Sequence, residues 1–110
     1  MDAAGEELAD RVRALLGTDP EIEERRMFGS RAFLVDGSIL VGARKGGTLL
    51  VRVSAEHGAA LMTRPGVSPA VMGAKTMSPR WLDVEASAVA DDSDLMFWLD
   101  VAREDGLAQA

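Results

Sequence analysis

The sequence of 110 residues has no cysteine, no tyrosine and a single histidine. Without cysteine there is no disulfide, no thiolate metal site and no cysteine nucleophile, and one histidine cannot build the usual zinc site. No apolar run approaches the ~20 residues that a membrane helix needs. The acidic start MDAAGEELAD lacks the apolar segment of a signal peptide. We therefore predict a soluble cytoplasmic protein without metal or cofactor.

Catalytic motifs are missing as well. The segment GARKGGT differs from a phosphate-binding loop because its lysine precedes the glycine pair and a strand-like segment follows. No G-x-S-x-G pattern occurs, so we interpret His57 as a surface or capping residue and not as a catalytic base. Asp91 and Asp92 lack the spaced oxygen ligands of a calcium loop and suit the first turn of a helix. We predict no enzymatic activity and no catalytic residue.

Charge is unevenly distributed along the chain, whose overall net charge is −6. The net charge is −6 over residues 1–24, +7 over residues 25–82 and −7 over residues 83–110. A basic block between acidic ends predicts either acidic helices packed beside a basic sheet or a nucleic-acid-binding face with acidic arms. The overall negative charge favours the first interpretation, because binding to phosphates requires positive charge. The chain also has few aromatic residues on which bases could stack.

Hydrophobic periodicity indicates one helix followed by strands in the first half of the chain. The segment EELADRVRALLG predicts a helix that ends at Gly17. From residue 22 the periodicity changes, the segment EERRMF alternates loosely, and Asp36-Gly37 between apolar runs is typical of a two-residue hairpin turn. Gly46-Gly47 predicts a second such turn. Residues 22–53 therefore read as a four-stranded antiparallel meander. The apolar stripe of the first helix consists of Leu8, Val12, Leu15 and Leu16.

The second half is predicted to contain two helices and one strand. Ser54 is a plausible N-cap for a short helix, in which Gly58 costs about 1 kcal/mol relative to alanine. The segment RPGVSP reads as a loop, and a strand is expected near residues 80–84. A last helix begins near residues 91–93 and ends at Gly106. The order α-β4-α-β-α predicts a single α+β domain over residues 1–110, a two-layer sandwich with its helices on one face of the sheet. The buried face of the last helix is Leu95, Trp98, Leu99 and Ala102.

Two features suggest contact with another polypeptide. The middle strands carry apolar residues on both faces, so a second subunit is a candidate cover for the face away from the helices. The methionines either fill gaps in a small core or line an adaptable groove for a peptide. These methionines are Met27, Met62, Met72, Met77 and Met96.

Several segments together resemble a known family. They are Arg26 followed by Met27-Phe28-Gly29, the Asp36-Gly37 turn, the strand LLVRV, the segment GAKTMSPRWLDV and the closing DLMFWLDVA. From about residue 8 to 105 the chain resembles the N-terminal domain of the TfoX/Sxy competence regulators, which continue into a second domain. Ser30 departs from the pattern, since the family usually has a second glycine there.

The resemblance implies a two-layer domain similar to secretion chaperones, often self-associating, with no known enzymatic activity. We therefore predict a homodimeric, non-enzymatic protein-interaction or regulatory module. Two alternatives stay open. One is a nucleic-acid-associated regulator that uses the basic central sheet, and the other is an enzyme or binding protein for a small acidic ligand. The candidate ligand or partner contacts are Arg26, Phe28, Arg31, Lys75 and Trp81.

Overall fold

The computed structural model describes residues 2–17, 19–27 and 29–108. It is an α+β fold in which three helices accompany an antiparallel sheet, as the sequence predicts. The helices and strands, in chain order, are α1 (Ala3–Leu16), β1 (Ile22–Met27), β2 (Ser30–Val35), β3 (Ser38–Ala43), β4 (Leu49–Arg52), α2 (Ala55–Leu61), β5 (Val67–Pro69), β6 (Val71–Met72), β7 (Lys75–Thr76), β8 (Trp81–Val84) and α3 (Asp92–Ala108).

The predicted meander over residues 22–53 is confirmed, and it forms the larger part of a six-stranded sheet. The strand order is β1-β2-β3-β4-β8-β5, and neighbouring strands are antiparallel. The strand predicted near residues 80–84 is β8, which pairs with both β4 and β5. Strands β1 and β5 are therefore the two edges of the sheet.

Helix α1 is tied to the connection between β3 and β4 through its N-cap residue, Asp2. The Asp2 carboxylate accepts hydrogen bonds from the backbone N–H of Gly5, at 2.9 Å, and of Gly46, at 3.0 Å. These two bonds, that from Gly5 being the stronger cause, lower the pKa of Asp2. Gly17 ends the helix with a positive φ of 71°, as predicted. The predicted apolar stripe of α1 faces the core, because Leu8, Val12 and Leu16 are buried.

The two predicted glycine turns differ in the structure. Asp36 and Gly37 both have positive φ, 51° and 80°, and they form the predicted two-residue turn between β2 and β3. The prediction for Gly46-Gly47 is wrong, because β3 ends at Ala43 and β4 begins at Leu49. The connection is longer and contains a 3-10 turn over Lys45–Gly47, to which the Asp2 carboxylate is bonded.

Three elements of the second half were not predicted. The segment RPGVSP, predicted as a loop, contains the edge strand β5, which pairs with β8 through residues Val67–Pro69. Strands β6 and β7 form a separate two-stranded hairpin. A 3-10 turn over Ala86–Val89 precedes α3. All three are short, and β5 contains Pro69, so their sequence pattern is weak.

Helices α2 and α3 follow the predictions except at one end. The Ser54 hydroxyl accepts a hydrogen bond from the His57 N–H at 3.1 Å and caps α2 as expected. Helix α3 buries the predicted face. The prediction that α3 ends at Gly106 is wrong, because the helix continues to Ala108. Gly106 instead lies close to β3, where an added Cβ would be 3.1 Å from Cδ2 of Leu40.

The core lies between one face of the sheet and the helices. Phe33, Val41, Val51 and Leu82 lie on neighbouring strands and belong to a single buried cluster with residues of all three helices. An irregularity between Phe33 and Leu34 shifts the β2–β3 register, so that the consecutive residues Leu40 and Val41 both join this cluster. We call the opposite side of the sheet the outer face.

Candidate functional site

Charged and aromatic residues lie on the outer face where β3, β4 and β8 meet. In β8, Trp81 and Asp83 alternate with the core residues Leu82 and Val84, so they point away from the helices. Arg52 is directly opposite Trp81 on β4, with its guanidinium carbon 5.9 Å from the centre of the indole ring. This part of the sheet therefore presents a cation–π pair and a carboxylate side by side.

The β6–β7 hairpin is fixed to this part of the sheet by a closed set of hydrogen bonds. Arg44 donates to both oxygens of Asp83, at 2.9 and 3.1 Å, and to the Val71 carbonyl oxygen at 2.9 Å. The Val71 N–H in turn donates to Asp83 at 3.3 Å. The ends of the hairpin are also joined, because the Met77 N–H donates to the Ala70 carbonyl oxygen at 2.7 Å. The base of the hairpin is thus held in one orientation.

The hairpin carries apolar side chains into solvent. Val71 is 42% exposed and Met72 is 39% exposed, and Lys75 lies directly across from Met72. Among the described residues the other exposed large apolar side chain is Phe97, which is covered on one side by Arg64 at 4.4 Å from its ring centre. We define the hairpin surface as Val71, Met72, Lys75, Trp81 and Arg52.

A second polar cluster joins α1 to β1 and β2. Arg13 donates two hydrogen bonds to the Glu24 carboxylate, at 2.6 and 2.7 Å, and these bonds lower the pKa of Glu24. Arg31 approaches the same carboxylate at 3.3 Å and Glu6 at 3.8 Å. The Nε of Arg31 is buried and has no hydrogen-bond partner within the described part of the chain. This geometry is that of a structural ion-pair network, with Arg31 its least satisfied member.

The five predicted contact residues fall into two groups. Arg26 is directly opposite Arg31 at one end of the β1–β2 pair, and its side chain is exposed. Lys75, on β7 of the separate hairpin, and Trp81, on β8, belong to the hairpin surface, and β3 and β4 lie between β8 and the arginine strands in the sheet order. Phe28 lies outside the described residues. If the protein bound a small acidic ligand through Arg26, Arg31 and Lys75, these residues would have to line one concavity. None of them lines the groove between α3 and the sheet.

A groove of about 600 Å³ opens between the end of α3 and the β2–β3–β4 end of the sheet. Its lining mixes apolar residues such as Ile39 with two arginines, Arg52 and Arg103, and with four carboxylates. Asp105 also accepts hydrogen bonds from the Ser54 N–H at 2.9 Å and contacts the His57 ring at 3.0 Å. The four acidic lining residues are Asp19, Glu21, Asp36 and Asp105.

The acidic ends of the chain contact its basic middle, as expected if acidic helices pack beside a basic sheet. Arg31 contacts Glu6, and Arg44 contacts Asp83. Within the described residues, no group of acidic and histidine side chains is placed to hold a metal ion. No helix in this part of the chain is long and apolar enough to cross a membrane.

Sequence reasoning missed the anchor of the hairpin. Arg44 and Asp83 are 39 residues apart, and only the pairing of β4 with both β3 and β8 brings them together. The hairpin itself left a local signal, since a glycine, Gly73 with φ of 63°, separates the apolar pair of β6 from β7. A turn glycine between two short runs is a recognised hairpin pattern.

The comparisons with known proteins agree with the family resemblance. The model of the TfoX N-terminal domain matches residues 14–105, which is most of the chain. No curated protein and no solved structure matches it. The matched range runs from α1 into α3 and so includes the whole six-stranded sheet and the β6–β7 hairpin.

Proposed function

Because the chain belongs to the TfoX N-terminal domain family, a family that indicates a regulatory or competence-associated module, we propose that it is a non-enzymatic regulator that binds a polypeptide partner. The observation that carries the proposal is the anchored hairpin, with Val71 and Met72 exposed. We place the interaction on the hairpin surface and the protein in the cytoplasm.

The chemistry of the hairpin surface suits a peptide or protein ligand. Met72 is flexible and polarisable, so it can adapt to differently shaped apolar side chains. Trp81 and Arg52 are of the residue types that contribute most to binding at protein interfaces. Lys75 and Arg52 add positive charge at the rim, which favours a partner segment containing acidic residues. The expected ligand is therefore a segment with apolar anchors flanked by carboxylates.

The rigid base of the hairpin lowers the entropic cost of binding. Arg44 and Asp83 are joined to each other by two hydrogen bonds, and each forms one further bond with the backbone of Val71, so the exposed side chains are not involved. A surface that is already ordered loses less conformational freedom when a partner docks. Arg44→Ala should therefore weaken binding although Arg44 lies beneath the surface and not within it.

The test is affinity capture from a native lysate, followed by direct binding measurements with the recovered protein. Wild type is compared with Val71→Ser/Met72→Ser, and with Ala59→Ser as a matched control at an exposed position of α2. A partner should be retained by wild type and by the control. The double variant should bind it at least about tenfold more weakly, as loss of two apolar anchors predicts. Circular dichroism establishes that all variants are folded.

Two results would overturn the proposal. Equal binding by the double variant and the wild type would remove the hairpin surface from the interaction. Capture of DNA or RNA in place of protein, with affinity that falls steeply as salt increases, would support the nucleic-acid alternative, because each neutralised phosphate releases a counterion. An electrophoretic shift assay at low salt measures this directly.

We also propose that the protein acts as a homodimer. The support is the self-association that the family resemblance implies, together with the open sheet edge at β1. Sedimentation velocity and light scattering over a range of micromolar concentrations should show a species of twice the monomer mass of 11.7 kDa. A monomer at every concentration would contradict the dimer without bearing on the hairpin surface.

A further inference from the structure

We propose that the homodimer forms by antiparallel pairing of β1 with β1 of a second copy, in a register centred on Glu24. The inference rests on the proposed homodimer and identifies its interface. It is carried by the geometry of the sheet edge and by the order of charges in the strand, Ile22-Glu23-Glu24-Arg25-Arg26-Met27.

Strand β1 is the longer of the two open edges of the sheet. It has six residues and pairs on one side only, with β2. The opposite edge, β5, has three residues, and Pro69 within it has no N–H to offer to a neighbour. An open edge of six residues is a template for adding another strand. A second copy can therefore pair at β1 more extensively than at β5.

The hairpin between β2 and β3 shows which backbone groups of β1 point outward. Val35 and Ser38 form the pair that closes the two-residue turn. Such a closing pair exchanges both backbone hydrogen bonds, so the N–H and C=O of Val35 point toward β3. Ile22 lies opposite Val35 on β1. The backbone groups of Ile22 must therefore point away from β2, toward the open edge.

The hydrogen bonding of Ile22 agrees with this assignment, because its N–H donates to the Asp19 carbonyl oxygen at 3.2 Å and lies outside the β1–β2 ladder. Backbone directions alternate along a strand. Glu24 and Arg26 therefore also direct their N–H and C=O groups outward. These groups supply the main-chain hydrogen bonds of the proposed interface.

Symmetry requires that one residue of β1 face its own copy, and the two registers that pair the most residues of the strand are centred on Glu24 and on Arg25. Two identical antiparallel strands are related by a two-fold axis perpendicular to the sheet, which pairs residues on the same face. The axis therefore lies midway between one residue and the same residue of the second copy. Centred on Glu24, the register places Glu23 opposite the partner's Arg25 twice. Centred on Arg25, it places Glu24 opposite the partner's Arg26 twice, but it also brings the two Arg25 side chains together at a closely spaced, non-hydrogen-bonded pair, a like-charge contact that destabilises pairing.

The register centred on Glu24 also leaves the existing ion pairs intact. Glu24 meets the partner's Glu24, but each carboxylate is already neutralised by two hydrogen bonds from Arg13 of its own chain. Glu23 and Arg25 contact each other at 2.8 Å within one strand, and both are at least half exposed. They can exchange this weak contact for two contacts across the interface, where non-hydrogen-bonded pairs bring side chains closest.

Charges on edge strands commonly prevent strand pairing. That protection works when a second copy brings like charges together. Here two acids are followed by two bases, so an antiparallel copy in this register brings opposite charges together, and a parallel copy does not. The same residues that protect β1 from unrelated strands therefore select a second copy of this chain.

The test is a charge exchange between Glu23 and Arg25 in the full chain. Glu23→Lys and Arg25→Glu each place like charges opposite one another, and each should weaken dimerisation by about tenfold or more, given the usual strength of cross-strand pairs. An equimolar mixture of the two variants restores opposite charges at both contacts and should form heterodimers. The double variant Glu23→Lys/Arg25→Glu should dimerise like wild type. Sedimentation equilibrium measures each dissociation constant.

Glu7→Lys is the matched control, since it changes the net charge as Glu23→Lys does at an exposed position of α1. It should leave dimerisation unchanged. A dimer that is equally insensitive to all three β1 variants would overturn the interface while leaving the homodimer standing. A wild type that stays monomeric overturns both. Weakening by the single variants without recovery in the mixture would also exclude this register.

Discussion

Substituting alanine for Gly58 should destabilise the protein, although alanine favours a free helix. Gly58 lies in α2, and a Cβ built on it would overlap the carbonyl oxygen of Pro79 and lie 3.1 Å from Cγ2 of Val53. The Pro79 segment cannot easily retreat. The Trp81 N–H donates to the Ser78 carbonyl oxygen at 3.0 Å. The Val53 N–H donates to the Arg80 carbonyl oxygen at 2.8 Å, so the backbone is held on this side as well.

The magnitude follows from two opposing effects. Alanine gains about 1 kcal/mol over glycine in a helix interior. Overpacking against a fixed neighbour costs about 1–3 kcal/mol, and the cost is at its upper end when the neighbour is backbone. We expect Gly58→Ala to lower the free energy of unfolding by about 1–2 kcal/mol. For a domain of this size that lowers Tm by about 4–9 °C.

Gly106→Ala is the matched control, because Gly106 is also helical but its added Cβ would meet only the flexible end of Leu40. Leu40 can shift, so this variant should be as stable as wild type or slightly more stable. Urea unfolding at pH 7 measures both variants against wild type. If Gly58→Ala unfolds at the same or a higher urea concentration than wild type, the close approach of Pro79 does not limit this position.

Three further substitutions test the local chemistry. The hydrogen bonds from Arg13 lower the pKa of Glu24. The Glu24 carboxylate therefore stabilises the folded protein above its unfolded-state pKa, and this stabilisation disappears as pH falls through its folded-state pKa. In urea titrations the stability difference between wild type and Glu24→Gln should shrink between pH 6 and pH 3. Ser54→Ala removes the cap of α2 and should cost about 1 kcal/mol, whereas Ser54→Thr should retain most of it. Gly37→Ala should cost about 1–2 kcal/mol in thermal unfolding because φ is 80° there.

The first half of the fold was predictable because local rules determine it. Short apolar runs on either side of the Asp36-Gly37 turn define β2 and β3 without reference to the rest of the chain. The prediction of a two-residue turn at Gly46-Gly47 was wrong because of a contact with a residue distant in the sequence. The Asp2 carboxylate, 44 residues away, accepts the Gly46 N–H and holds this connection in a longer form. A glycine pair alone does not reveal that contact.

The second half was less predictable because its strands depend on their neighbours. Strand β5 has only three residues, one of which is a proline, and it forms because β8 offers a free edge. The hairpin surface depends on Arg44 and Asp83, which meet only after β3, β4 and β8 have paired. Lys75 and Trp81 were named from sequence, but the pairing of Lys75 with the exposed Met72 and the position of Trp81 on the outer face required the structure.

The two proposed surfaces lie at separate parts of the sheet, and this has a consequence for the dimer. Strand β1 is one edge, whereas the hairpin is anchored at β8, with three strands between them in the sheet order. Pairing at β1 would therefore leave both hairpin surfaces accessible in one continuous sheet. A partner that carries two binding segments would then bind the dimer more tightly than the monomer, because its second contact becomes intramolecular. The charge-repelled variant Glu23→Lys should lose this added affinity while retaining the affinity for a single segment.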